Sequence, residues 1–310
     1  MSVNGTLTAR ALGISRTRGR RREGIRNGRL AMLYLSPALL VFLVFTIGPA
    51  IFVLYISFFN WNLLNPSLSR FVGGGNYTAL VHSSDFWNSI VTSVYFVGAT
   101  VGGSTVLGLA IALLLSRRGL VRRIVRLAVL TPYFTPLVAT SIVWVWIFNP
   151  QFGLVDSLLH LAHLPQVGWL QSTKWAMPAL IVYTLWHDLG FTVIIFLAGL
   201  ATVSGELREA ARVDGASYWH EVRDVVIPQL VNTTLFVVVI TTIDSLQAFT
   251  QIYTMTGGGP LSATTTTGFL LYQQSFVFYK TGFGAAIAVV LFVVIALFTL
   301  LQLRLSRRAA

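Results

Sequence analysis

Six long apolar runs constrain this chain more than any other feature. They are Met32–Phe58, Phe86–Leu115, Ile124–Phe148, Trp175–Val203, Leu230–Thr250 and Gly284–Leu303. About 20 mostly apolar residues cross a bilayer as a helix. The runs therefore predict an all-α membrane protein with six transmembrane helices. Composition agrees: 55% of the 310 residues are hydrophobic and only 10% are charged. Soluble domains carry roughly 25% charged residues, so too little polar surface exists here to cover a water-soluble fold.

The basic residues give the orientation. Nineteen of the 22 fall in alternate segments: Arg10, Arg16, Arg18, Arg20, Arg21, Arg22, Arg26 and Arg29 at the start; Arg117, Arg118, Arg122, Arg123 and Arg126 after the second run; Arg208, Arg212 and Arg223 after the fourth; Arg304, Arg307 and Arg308 at the end. Arg70, Lys174 and Lys280 occupy the other three segments. Cytoplasmic loops carry the excess of Lys and Arg. Both termini and the segment between the fourth and fifth runs are thus expected in the cytoplasm. Net charge is +12, which in this setting marks loop orientation rather than nucleic-acid binding. The expected layout is a basic cytoplasmic tail at 1–30, a six-span region at 31–303 with a polar loop at 204–228, and a cytoplasmic tail at 304–310. The first run lacks a small-residue cleavage site and is expected to be retained.

Enzyme chemistry finds little support. There is no cysteine, which removes thiolate chemistry and Cys-based metal sites. No GxxxxGK[ST] phosphate loop occurs, and the only lysines are Lys174 and Lys280. His160 and His163 stand three apart without an acidic ligand and read as interfacial polar residues. No metal site is expected. Trp144 and Trp146 read as an interfacial aromatic belt.

Polar groups inside the spans are more telling, because an ionisable side chain at a helix centre costs about 2.5–3.5 kcal/mol on insertion scales. Thr184, Asp188 and Phe191 share a face of the fourth run, with His187 beside them. Thr241, Asp244, Ser245 and Ala248 share a face of the fifth. They are candidates for a solute cavity, where aromatic faces and a few polar groups suit a sugar. Interhelical hydrogen bonding is the alternative, favoured for Thr241 and Ser245. Gln247 and Gln251 are expected near the outer surface.

The polar loop reads as two short helices. Ser204 is a candidate N-cap for Glu206–Val213, with Glu206 in the first turn. Gly215 breaks the run. A second helix carries the stripe Tyr218, Val222, Val225 and Val226, and Pro228 is expected to end it.

This loop resembles the EAA loop of permease subunits of binding-protein-dependent ABC importers. That pattern is Glu-Ala-Ala, three residues, Gly, nine residues, Ile-x-Leu-Pro. The chain has Glu209-Ala210-Ala211, Gly215 and Val225-Val226-Ile227-Pro228, with Val for Ile and Ile for Leu. Other blocks resemble sugar-importer permeases of the maltose and glycerol-3-phosphate type: "FVGGGNY", "LTPYFTPLVATSIVWVWIFNPQFGLVD" and "FTQIYTMTGGGP". Thr131 stands where the family often has Leu. The resemblance covers about Leu33 to Leu303. It implies a fold like that of type I ABC importer permeases in a bacterial-type inner membrane. It implies ATPase coupling through Glu209, Ala210, Ala211, Asp214, Gly215 and Pro228, and adds Tyr133 to the solute pathway. It also implies these partners: a second homologous permease, two ATPase domains that hold the ATP and Mg, an extracytoplasmic binding protein, a sugar and membrane lipid. No cofactor is expected in the chain itself. An importer permease for a phosphate ester or polyol, and a secondary transporter, are the alternatives; the latter leaves the loop unexplained.

Overall fold

The computed structural model describes residues 33–116 and 119–309. The 1–30 tail, Arg117 and Arg118, and the side chains of Arg307 and Arg308 lie outside the described residues. The chain divides into a unit ending at Tyr55 and a unit beginning at Ile56. The first contains most of helix α1, Leu33–Ile56, apolar and long enough to span a bilayer.

The second unit begins with a two-residue ribbon, absent from the all-α expectation. Strand β1, Phe59–Asn60, pairs antiparallel with β2, Arg70–Phe71. Helix α2, Gly75–Val81, follows. The Asn and Tyr of "FVGGGNY" fasten this region. Asn76 Nδ2 donates to the carbonyls of Ser57 and Phe59 at 2.8 and 2.9 Å, and the hydroxyls of Ser57 and Tyr77 lie 2.7 Å apart.

Helix α3, Ser84–Leu115, starts on a Ser83 side-chain cap. It packs along α7, Ala176–Thr202. Small residues permit the approach. A Cβ on Gly103 would lie 2.9 Å from Leu185 Cδ1, and one on Gly108 would collide with Thr192. In lipid, where apolar burial between helices gains little, close backbone packing of this kind drives helix association.

The third and fifth apolar runs are not single straight helices. Helix α4, Leu120–Leu130, passes into a 3₁₀ turn, Thr131–Phe134, and helix α5, Leu137–Ile147, leaves at 104°. Pro132 and Pro136 explain the break, since neither can donate a backbone hydrogen bond and each restricts the residue before it. Helix α6, Leu154–Leu161, lies beyond α5. After α7 come α8, Gly205–Val213, α9, Tyr218–Gln229, and α10, Val231–Leu246. A 68° bend separates α9 from α10. Pro228 does not end α9: it sits in the last turn, and Leu230 makes the bend.

Helix α11, Thr250–Met255, leads into the Gly-rich loop. Gly257 and Gly258 have φ of +59° and +82°, conformations that glycine adopts at little steric cost. The Thr run then closes the loop. Thr264 and Thr265 hydroxyls donate to the carbonyls of Gly259 and Gly258, and Thr266 caps α12, Thr267–Tyr272. Helix α13, Thr281–Ala309, completes the chain; the expected 304–310 tail continues it as helix through Ala309. Among the described residues, four helices are long and apolar enough to span a membrane, and the number rises to six where each bent pair is one span.

Trp144 is not part of a surface belt. Its ring packs on Phe148, Tyr183 and Trp186, with centroids 5.2, 5.9 and 5.3 Å away. Trp146 is exposed.

Candidate functional site

Two helix breaks, α4–α5 and α10–α11, together with helices α3 and α7, build a cavity of about 300 Å³. Helix α7 receives the first break. Its Gly190 brings the α4–α5 break against it: a Cβ there would sit 2.9 Å from the Val129 carbonyl and 3.2 Å from Tyr133 Cβ. Tyr133 is thereby held over α7, stacked on Phe191 with ring centroids 5.4 Å apart and an interplanar angle of 29°. Tyr183 secures the other arm of the break, its hydroxyl donating to the Leu137 carbonyl at 2.9 Å.

His187 is buried and bridges the two elements. Its Nδ1 lies 2.7 Å from Asp188 Oδ1 and its Nε2 3.4 Å from the Thr135 carbonyl. Asp188 keeps about a third of its side chain accessible. From the facing side, α10 presents Thr241, Asp244 and Ser245. Ser245 and Thr100 hydroxyls lie 2.9 Å apart, joining α10 to α3. Thr241 donates back to the Val237 carbonyl of its own helix. Interhelical bonding thus accounts for Ser245, while Thr241 is satisfied locally.

Eight of the residues singled out from the sequence as cavity candidates line this one cavity: Tyr133, His187, Asp188, Phe191, Thr241, Asp244, Ser245 and Ala248. Thr184 does not. It is buried on α7, and its hydroxyl has no hydrogen-bond partner among the described residues. Gln247 and Gln251, expected near the outer surface, belong to the lining instead. The reason is the interruption between α10 and α11, which turns the chain at Gln247–Phe249 so that both glutamines border the cavity.

The loop between α7 and α10 forms a second constellation. Ser204 caps α8, accepting from the Leu207 amide. At the other end the Ala216 amide donates to the Ala211 carbonyl at 2.9 Å and the Gly215 amide to Arg212 at 3.1 Å. With Gly215 at φ +83°, this pair of bonds is the Schellman termination that a left-handed residue permits. Glu209, Ala210 and Asp214 are exposed around it, as are Gly215 and Pro228, and Ala211 is half-buried.

Sequence reading missed the clamp that joins the two loop helices. Glu221 is buried at 2% exposure. Arg208 Nε donates to its Oε1 at 2.6 Å, Arg212 Nε to Oε2 at 2.8 Å and Arg212 Nη2 to Oε1 at 3.1 Å. The Arg212 bonds, then those from Arg208, outweigh burial and hold the carboxyl at about 2. A π-helical turn over Glu221–Val226 changes the expected stripe. The buried face of α9 is Glu221, Val222 and Val226, whereas Tyr218 is exposed. The available signal was the i, i+4 spacing of Arg208 and Arg212, which puts both on one helix face.

Two half-sites therefore hang on the same pair of helices. Helix α7 carries Asp188 at the cavity and runs into α8; α9 runs into α10, which carries Asp244. The described residues thus form a bundle of helices, several long and apolar enough to span a membrane, with a polar cavity at helix breaks and a clamped loop. Residues 104–310 match the family of binding-protein-dependent transport system inner membrane components, and the chain belongs to it.

The chain is 32% identical over 278 residues to the sulfoquinovosyl glycerol transport system permease protein SmoG of Agrobacterium fabrum, covering 90% of each. It is 33% identical over 285 residues to the trehalose/maltose transport system permease protein MalF of Thermococcus litoralis, covering 91% of this chain and 95% of that one. In fold it is similar to a chain of a bacterial ABC transporter involved in alginate import, with a TM-score of 0.82 at 23% identity over 93% of this chain and 99% of the other. It is thus an inner-membrane protein, and its role is transport.

Proposed function

We propose that the chain is the permease subunit of an ATP-driven sugar importer. It forms half of a pathway completed by a second homologous permease, and an extracytoplasmic binding protein delivers the solute. The α8–α9 loop faces the cytoplasm and docks on one of two ATPase domains, which supply the ATP and Mg. The chain itself carries no ATPase site. One observation carries this reading: the cavity and the loop are borne by the same two helices, α7 and α10, so displacement of the loop reaches Asp188 and Asp244 directly. The relatives named for sugar transport support the solute class.

Alanine at Tyr133, Asp188 or Asp244 is expected to lower sugar uptake while leaving complex assembly intact. Unchanged transport kinetics in all three variants would remove the cavity from the pathway. Loss of assembly in the two Asp variants would make these groups structural.

Orientation is tested separately. With no native cysteine, single cysteines report sidedness. Ser262→Cys, in the exposed Gly-rich loop, is expected to react with a membrane-impermeant thiol reagent from outside. Ser217→Cys, in the α8–α9 turn, is expected to stay protected until the membrane is opened. External labelling at Ser217→Cys overturns the orientation.

A further inference from the structure

The charge of the cavity narrows the solute further, resting on the transport reading above. Two carboxylates line it, Asp188 from α7 and Asp244 from α10, and no Lys or Arg is among its lining residues. His187 is the remaining residue there that changes charge near neutral pH. It faces Asp188, the Thr135 carbonyl, and the rings of Tyr133 and Tyr183. With both carboxylates ionised, the site carries one net negative charge if His187 is a cation and two if it is neutral.

The carboxylates differ in their commitments. Asp188 is held by His187. Asp244 has no hydrogen bond or ion pair among the described residues and is exposed to the cavity. A structural role explains the first and leaves the second without a purpose inside this chain. An ionised carboxylate only accepts hydrogen bonds. Its complement is a ligand that donates, such as a sugar hydroxyl or an ammonium group, beside the flat face of Tyr133. A carboxylate, sulfonate or phosphate on the ligand would meet like charge in a site partly screened from water, where repulsion is stronger than in bulk solution.

We propose that this subunit's half of the pathway is an anion-rejecting filter, which admits neutral and cationic glycosides and disfavours acidic ones. Clefts lined by one sign of charge raise the local concentration of opposite charge by roughly 10- to 1,000-fold.

The experiment reads that potential without a transported solute. In an assembled complex otherwise free of cysteine, Ser245→Cys is reacted with matched cationic (trimethylammonium) and anionic (sulfonate) methanethiosulfonate reagents. Each rate is divided by its rate with a free thiol. The cationic reagent is expected to be favoured by at least about tenfold, and Asp244→Asn or Asp188→Asn is expected to bring the ratio toward one. A ratio near one, a preference for the anion, no reaction with either reagent, or a ratio that ignores both Asn changes overturns the filter. A cation supplied by the second permease would give the anion-favouring result. Should Ser245→Cys fail to assemble, Gln247→Cys takes its place in the same lining. Sugar uptake measured in the parent complex, without the probe cysteine, separates the two readings. Uptake with a ratio of one removes the filter alone; a tenfold ratio without sugar uptake removes the sugar assignment.

Discussion

Gly215→Val and Glu209→Lys are each expected to abolish sugar uptake while both variants still insert in the membrane. The two substitutions reach this result by different routes. Gly215 lies at φ +83°, and a Cβ there meets nothing within 4 Å. The obstacle is backbone conformation, not space. A left-handed residue with a side chain costs about 1–2 kcal/mol, and a β-branched one is a genuine outlier. Valine therefore undoes the paired bonds that end α8 and redirects the chain into α9. Asparagine tolerates this region, so Gly215→Asn is expected to retain most transport, which separates turn geometry from residue size. Glu209 is exposed and outside the Glu221 clamp. Its charge also favours the Arg212 guanidinium, but it bonds no clamp group, so reversing it is expected to act chiefly on what docks on the loop. The measurements are uptake, membrane-fraction abundance and copurification of the ATPase. Normal transport by both variants would falsify the coupling role.

Breaking the clamp gives the second large effect. Glu221→Gln keeps the shape and removes the charge between two guanidinium groups. The guanidinium groups left behind, 29% and 55% exposed, can hydrate, so the cost falls below the roughly 3–5 kcal/mol of breaking a fully buried pair. The loop helices are expected to separate, uptake to fall at least tenfold, and limited proteolysis to cut between Val213 and Tyr218. The pH dependence follows from a carboxyl lowered from 4.5 to about 2. Its stabilisation, on the order of 3 kcal/mol, is fully present above the unfolded value of 4.5. It is lost as pH falls through about 2. Clamp integrity is therefore flat between pH 5 and 8 in the parent protein. Glu221→Gln cleaved no faster than the parent, or a parent loop that loosens between pH 5 and 7, would show that the clamp does not hold the helices.

The spans were legible because their evidence is length and apolarity, which survive without knowledge of packing. The bends were not. Pro132 and Pro136 lie in a run apolar enough to read as one helix, and whether prolines kink or break it depends on what Gly190 allows to approach. The cavity residues were legible because charge inside an apolar run is costly wherever it points. On a straight α10, Gln247 and Gln251 share Asp244's face at i+3 and i+7 but lie one and two turns farther along; the interruption at Gln247–Phe249 keeps both at the cavity. The clamp escaped notice because its partners are 9 and 13 residues apart across a turn. Arginines on a short polar helix also resemble an ordinary solvated face. Glu221 sits beside Val222 on the buried side of α9, where a π-helical turn sets the register.

The breaks at Thr131–Pro136 and Gln247–Phe249 interrupt the helical ladder at the cavity. Within a bilayer, peptide groups outside a helix persist only where protein buries them or water reaches them. The Thr135 carbonyl lies 3.4 Å from His187 Nε2 at the first of these breaks. On the proposed pathway, peptide groups freed at the breaks would be hydrated between transport events, and a solute would take the place of that water one hydroxyl at a time.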